Sequence, residues 1–225
     1  MMNRLRSLTA RLRRNASGVA AVEFALTAPI VLTIFLSGAE LTNYAIARMR
    51  ISQIALHIVD NASRIGTDSA LSVKQISETQ INDLFTGANL QAGTLGLQSR
   101  GKVILYSLEA MASPNQAKFY VHWQRCFGSK VYAASQNQGT ANLTYIGPTG
   151  RQVTSVPTGT AVMYVEVAYN YRPLISSRLV PTTTLTDTAA MIVRDDRDLA
   201  GDDTHVTGGS GVYNAAGASV SSCST

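Results

Sequence analysis

The sequence predicts an α+β protein: a long N-terminal membrane-spanning helix followed by a globular domain built on an antiparallel sheet. Three observations carry this. The stretch Val19–Ala39 is an apolar run of 21 residues with one charge, Glu23. An amphipathic repeat then continues the run to about Ile65. After Gly96 the chain changes to alternating or continuously apolar runs separated by Gly/Pro turns. The 225 residues suffice for one domain of ordinary size plus an appendage.

The first element is basic. Arg4, Arg6, Arg11, Arg13 and Arg14 precede the apolar run, with no acid among them. They are five of the 19 basic residues; without them fourteen bases face fourteen acids, so the net charge of +5 belongs to this segment. The four lysines, Lys74, Lys102, Lys118 and Lys130, are far apart. A phosphate-binding face needs basic residues clustered within the folded domain, so nucleic acid is not a predicted partner.

The apolar run follows directly. As a helix, Val19–Ala39 spans about 30 Å, the thickness of bilayer hydrocarbon. The arginines hold its N-terminal side in the cytoplasm, and no second such run follows. A single-pass protein of the bacterial inner membrane is expected, with residues 40–225 in the periplasm. Three readings of the segment compete. It is a plain signal anchor; or a secretory signal peptide cut before Glu40, after the small residues Ser37-Gly38-Ala39; or a processed membrane helix in which Glu23 has a purpose. A carboxylate inside a membrane helix costs about 2.5–3.5 kcal/mol and needs a partner. Pro29 lacks a backbone donor and is expected to kink or loosen the helix, or is simply tolerated there.

Ile51, Ile54, Ala55, Ile58, Ala62 and Ile65 recur every three or four residues, which extends the helix until Gly66 stops it. Val73, Ile76, Ile81, Leu84 and Phe85 predict a shorter helix near 73–86, with Gly87 as a breaker. Strands are expected at Lys102–Leu108, around Phe119–Gln124, over Met163–Tyr171 and over Thr188–Arg194. Lys102–Leu108 is apolar and mostly buried in type, and the period of two in the later runs predicts half-buried antiparallel strands, with helices on one face. Gly147-Pro148-Thr149-Gly150 and Val156-Pro157-Thr158-Gly159 read as turns. The tail from Ala200 is rich in Gly, Ser and Ala and is expected to be flexible unless tied down. Cys126 and Cys223 are the two cysteines. An intrachain disulfide between them would tie the tail; two free thiols or a bond to another chain are the alternatives.

The start of the long helix carries a resemblance. Gly18 closes the basic segment, and Val19-Ala20-Ala21-Val22-Glu23-Phe24 follows. This resembles the processing site of type IV prepilins, in particular the Flp/Tad branch. The wider pattern of Glu23, Phe24, Ala25, Leu26 and Pro29 is similar to that of TadE-like minor pseudopilins. Major Flp pilins usually have tyrosine after the glutamate, and Phe24 departs from that. His122-Trp123-Gln124-Arg125-Cys126-Phe127-Gly128 looks like the Trp-x-x-Cys-x-Gly stretch of many TadE-like proteins. Tyr169–Leu174 and the following Thr-rich connector resemble their C-terminal half.

The resemblance implies a pilin-like lollipop whose boundaries fall at a leader 1–18, a helix 19–66, an α+β domain 67–199 and a tail 200–225. It implies a cut between Gly18 and Val19 by a prepilin peptidase. Glu23, with Phe24 beside it, would then pair with the new Val19 amine of its own or a neighbouring subunit. The implied partners are the inner membrane, the prepilin peptidase, other minor pseudopilins, the major Flp pilin and the pilus assembly machinery. The implied role is assembly, priming or capping of a pilus, with possible incorporation into it. The alternative is a single-pass membrane-anchored binding module or enzyme unrelated to pili.

Signals for chemistry are weak. Gly96–Lys102 nearly spells a phosphate loop, but Val103 replaces the required Ser or Thr, and the segment precedes a strand rather than a helix. Asp195, Asp196, Asp198, Asp202 and Asp203 form an acidic cluster without EF-hand spacing. His57, His122 and His205 have no neighbours at zinc-ligand spacing. No catalytic residue, metal or cofactor is predicted.

Overall fold

The computed structural model describes residues 17–69, 72–112, 114, 117–175, 177, 183–201 and 211–223. The arginines of the expected leader, His205, and Asp202 and Asp203 of the acidic cluster lie outside the described residues. The class is α+β, as the sequence predicts: a long apolar helix, then a domain with a four-stranded antiparallel sheet. Two compact units divide the chain. One holds the N-terminal helix up to Ala45 and the segment from Pro173; the other runs from Ile46 to Arg172 and takes in the last strand and the C-terminal segment.

Helix α1, Ser17–Arg64, is one element of 48 residues that runs across Pro29. From Ile46 onward it is a core helix. Ala47, Ile51, Ile54, Ala55, Ile58, Val59 and Ala62 are all buried, at the three- and four-residue spacing of one helical face. Arg197 closes its end: Nη2 donates to the Ala62 carbonyl at 3.0 Å and the Ile65 carbonyl at 2.7 Å. These acceptors have no partner within the helix, and a cation complements the negative end of its dipole. Burial draws the Arg197 pKa down to about 10, which still leaves the guanidinium charged at neutral pH.

A short antiparallel ribbon follows, β1 (Thr67–Ser69) with β2 (Ser72–Gln75). The helix expected over 73–86 is displaced. It is α2, Glu78–Ala92. Its start is set by a capping box: Ser77 Oγ accepts from Gln80 N at 3.3 Å, and Gln80 Oε1 accepts from Ser77 N at 3.0 Å. Residues upstream are committed to the ribbon and to the Asp196 carbonyl, which accepts from Lys74 N. Gly87 does not break the helix. A helical glycine costs only about 1 kcal/mol, and the burial of Leu84, Phe85 and Ala88 around it outweighs that. A 3-10 turn (Gly93–Leu95) and the one-turn helix α3 (Leu97–Arg100) lead into the sheet.

The strands are β3 (Gly101–Ala110), β4 (Phe119–Phe127), β5 (Ala161–Asn170) and β6 (Thr184–Ile192), in the order β4-β3-β5-β6. The last begins four residues before the expected Thr188, because the Thr-rich segment pairs with the whole length of β5, from Asn170↔Thr184 to Val162↔Ile192. The expectation of half-buried strands fails for β5, where every residue but Asn170 is buried. The sheet has a cover on each side. On one face Phe85 of α2 stacks on Phe127, and Arg125 pairs with Glu78. On the other, Ile104, Tyr106, Leu108, Val162 and Tyr164 pack with Tyr132, Leu143, Ile146, Val153 and Val156, which belong to the long β4–β5 connection. Glu166, buried beneath that connection, accepts from Tyr106 Oη at 2.8 Å and from the Ser135 amide at 3.2 Å. Burial and the adjacent carboxylate both raise the pKa of Tyr106 and Tyr164, so each phenol remains a donor.

The C-terminal stretch, where described, is held in place. Tyr213 N donates to the Ile76 carbonyl, Cys126 N donates to the Ser221 carbonyl, and Asn82 Nδ2 donates to the Ser219 carbonyl. Cys223 is disulfide-bonded to Cys126 across 97 residues. The Trp-Gln-Arg-Cys-Phe-Gly stretch is thereby structural throughout. Trp123 is buried with the Arg125 guanidinium 5.8 Å from its ring. Gly128 has φ +93°, and a Cβ there would lie 2.3 Å from the Gly101 carbonyl oxygen.

Gly128→Ala is expected to destabilise the domain by about 2–5 kcal/mol, through left-handed strain and the clash. Replacing both cysteines by serine is expected to cost about 2–5 kcal/mol. Denaturant unfolding of the full chain in detergent, followed by the emission of the lone tryptophan, measures both.

Candidate functional site

The first part of α1 has the composition of a helix in lipid, and its geometry agrees. Leu, Ile, Val, Ala and Phe dominate it. Its threonine hydroxyls are satisfied within the helix: Thr27 Oγ1 donates to the Glu23 carbonyl at 2.9 Å, Thr33 to Pro29 at 2.7 Å and Thr42 to Gly38 at 2.9 Å. Such back-bonding removes the cost of a polar group in an apolar medium. The most apolar window of the helix has mean hydropathy 2.2, and none of it is buried. Phe24 and Phe35 are exposed to 72% and 73%. The helix is long and apolar enough to cross a membrane, and exposed apolar surface on this scale marks a membrane or partner contact.

Gly18, Val19, Glu23, Phe24 and Pro29 all lie on this segment. Gly18 is exposed, and a Cβ added to it would meet nothing within 4 Å. No packing demand within the described chain calls for glycine there. Val19 and Glu23 are four residues apart and share a helical face. Among the described residues the Glu23 carboxylate has no hydrogen-bond or ion-pair partner. Cys126 and Cys223 belong to the other unit.

Besides Glu166 and Arg197, sequence patterns missed three further sites where charge is buried. Glu40 is fully buried and accepts from the backbone amides of Leu174 (3.2 Å) and Ile175 (2.8 Å). Glu78 receives Arg125 Nε at 3.0 and 2.9 Å on its two oxygens. Glu109 receives His122 Nδ1 at 2.7 Å and Tyr120 Oη at 2.9 Å. The partners named here lie 11 to 135 residues away in the chain, beyond the reach of any local pattern. Ser107 Oγ also donates to Glu109, at 3.3 Å. His57 meets Gln91 in an open groove between α1 and α2. Of the acidic cluster, Asp195 pairs with Lys74 and Asp198 receives Tyr213 Oη. Among the described residues, no group of three or more His, Cys, Asp or Glu side chains is placed to hold a metal.

The fold and this segment define an α+β domain joined to a helix able to anchor it in a membrane. Residues 18–67 match the family model of TadE-like proteins. No curated protein and no solved structure matches the chain.

If the exposed segment is an anchor, charges within it should release the protein. Val31→Arg combined with Ile34→Arg adds about 2.5–3.5 kcal/mol per residue to insertion. Alkaline carbonate extraction is expected to leave the unaltered chain in the membrane pellet and to shift the variant to the supernatant.

Proposed function

We propose that the protein is a minor pseudopilin that takes part in assembling, priming or capping a Tad/Flp-type pilus. Its act is assembly rather than turnover. The observation that carries this is the TadE-like match over residues 18–67, with Gly18, Glu23 and Phe24 in place on an exposed helix. Gly18 supports the reading further, because a helical glycine costs about 1 kcal/mol relative to alanine and nothing packs against this one. Recognition by a prepilin peptidase explains its presence.

A cut after Gly18 leaves an ammonium at Val19, one turn from Glu23. That ammonium, on the same or a neighbouring subunit, neutralises the carboxylate in lipid. The basic leader stays in the cytoplasm, the helix sits in the inner membrane, and the sheet domain lies in the periplasm, where Cys126 and Cys223 oxidise. Pro29 provides a point where the helix bends during extraction into the filament. The partners are the peptidase, other minor pseudopilins, the major Flp pilin and the assembly machinery.

Mass spectrometry of the protein from native membranes is expected to give a mature N-terminus at Val19. Glu23→Gln is expected to abolish piliation while membrane insertion stays normal. An uncut chain, or full piliation with glutamine at 23, sinks the proposal.

A further inference from the structure

We infer that the turn Pro173–Ile175 is a second membrane contact, with Leu174 and Ile175 entering the lipid headgroup region beside the point where α1 leaves the bilayer. The inference rests on the reading of α1 as a membrane span. It starts from Glu40, the residue that directly follows the apolar run Val19–Ala39. Glu40 is 0% exposed, yet the turn it holds is not: Leu174 is 67% exposed and Ile175 38%. Each carboxylate oxygen accepts one backbone amide, Oε1 from Leu174 N at 3.2 Å and Oε2 from Ile175 N at 2.8 Å. These are charge-assisted bonds, stronger than neutral ones.

In water an exposed turn needs no such device, because solvent satisfies its amides. In lipid an unpaired backbone donor is costly, and irregular backbone is tolerated only when its polar groups are satisfied by protein. Glu40 does this for two consecutive donors, while the two apolar residues stay exposed. The depth also fits. Glu40 follows about 30 Å of helix, the hydrocarbon thickness, so a turn bonded to it lies at headgroup level. Interfacial elements bury their apolar residues about 5–10 Å into that boundary. The exposed pair also continues the uncovered apolar surface of α1 within the same unit. That continuity favours lipid over a protein groove as the occupant.

The test uses the full chain in phosphatidylcholine vesicles whose acyl chains are brominated near the headgroup or near the methyl end. Leu174→Trp is compared with the unaltered protein, whose single buried Trp123 gives the background. Phe35→Trp reports on the span itself, and Ile175→Trp repeats the measurement one residue on. Tryptophan at 174 or 175 is expected to lose emission to the shallow bromines more than to the deep ones. Adding Glu40→Gln, which offers one acceptor in place of two, is expected to reduce that loss and leave quenching at position 35 unchanged. Quenching at 35 with none at 174 or 175 overturns the interfacial turn while the span stands. No quenching at any of the three overturns the span and the turn together. Emission at 174 that is blue-shifted but unquenched, and that reverts on dilution into detergent, assigns the turn to a protein partner and overturns the lipid contact.

Discussion

One helix carries two surface patterns, an exposed apolar length and a buried stripe, without a break in its hydrogen bonding. Up to Ala45, α1 exposes apolar side chains all round and tucks its threonine hydroxyls onto its own carbonyls. From Ile46 it buries one stripe, and most of its exposed residues are polar, with Ile46, Met49 and Leu56 the exceptions. Lipid rewards the first pattern and a protein core in water the second. Helical hydrogen bonding carries the backbone through the change without a break. A sheet could not do this, because its edges need partners outside the segment.

The domain places charge where layers must be joined. Glu78 on α2 holds Arg125 of β4, so the helical layer is fixed to the sheet by a buried ion pair. Glu166 on β5 reaches the opposite way and anchors Ser135 of the irregular covering layer. Arg197 closes the end of α1. Asp187 of β6 receives Ser52 of α1 and Arg151. Burial works against its charge, but these bonds together with the Thr188 amide hold its carboxyl below the usual carboxylate range. A buried charge with its partner present adds little net stability, whereas one deprived of its partner is strongly destabilising. Such pairs therefore discriminate against misregistered sheets more than they strengthen the native one.

Much of the helical plan was legible in the sequence, and the reasons are local. Apolar spacing from Ile51 to Ile65 reports a helix face directly, and a 21-residue apolar run needs no tertiary knowledge to be recognised. What was misread depended on partners distant in the chain. Val73 and Ile76 fit a helical period, but residues 72–75 pair with β1, and only the Ser77–Gln80 box marks the true start. The alternation along β5 suggested an open face, because nothing local reveals that residues 132–156 fold back over it. One of three readings of the apolar run put a cut before Glu40; its bonds to positions 174 and 175 are invisible to any window along the sequence. Of the candidate site, Gly18, Glu23 and Phe24 were readable because their pattern is contiguous. The roles of Trp123 and Gly128 needed the fold.

The bond between Cys126 and Cys223 also sets an order of events during biosynthesis. Its second half is made 97 residues after its first. At about 5–20 residues per second, Cys126 waits several seconds as a lone thiol. By then all four strands of the sheet have been synthesised, so the crosslink records a domain whose chain is already present rather than guiding its early collapse. A product interrupted anywhere between the two cysteines keeps a reactive sulfur on β4. The oxidised form is thus a chemical mark of a chain made as far as residue 223, and it separates such chains from shorter fragments.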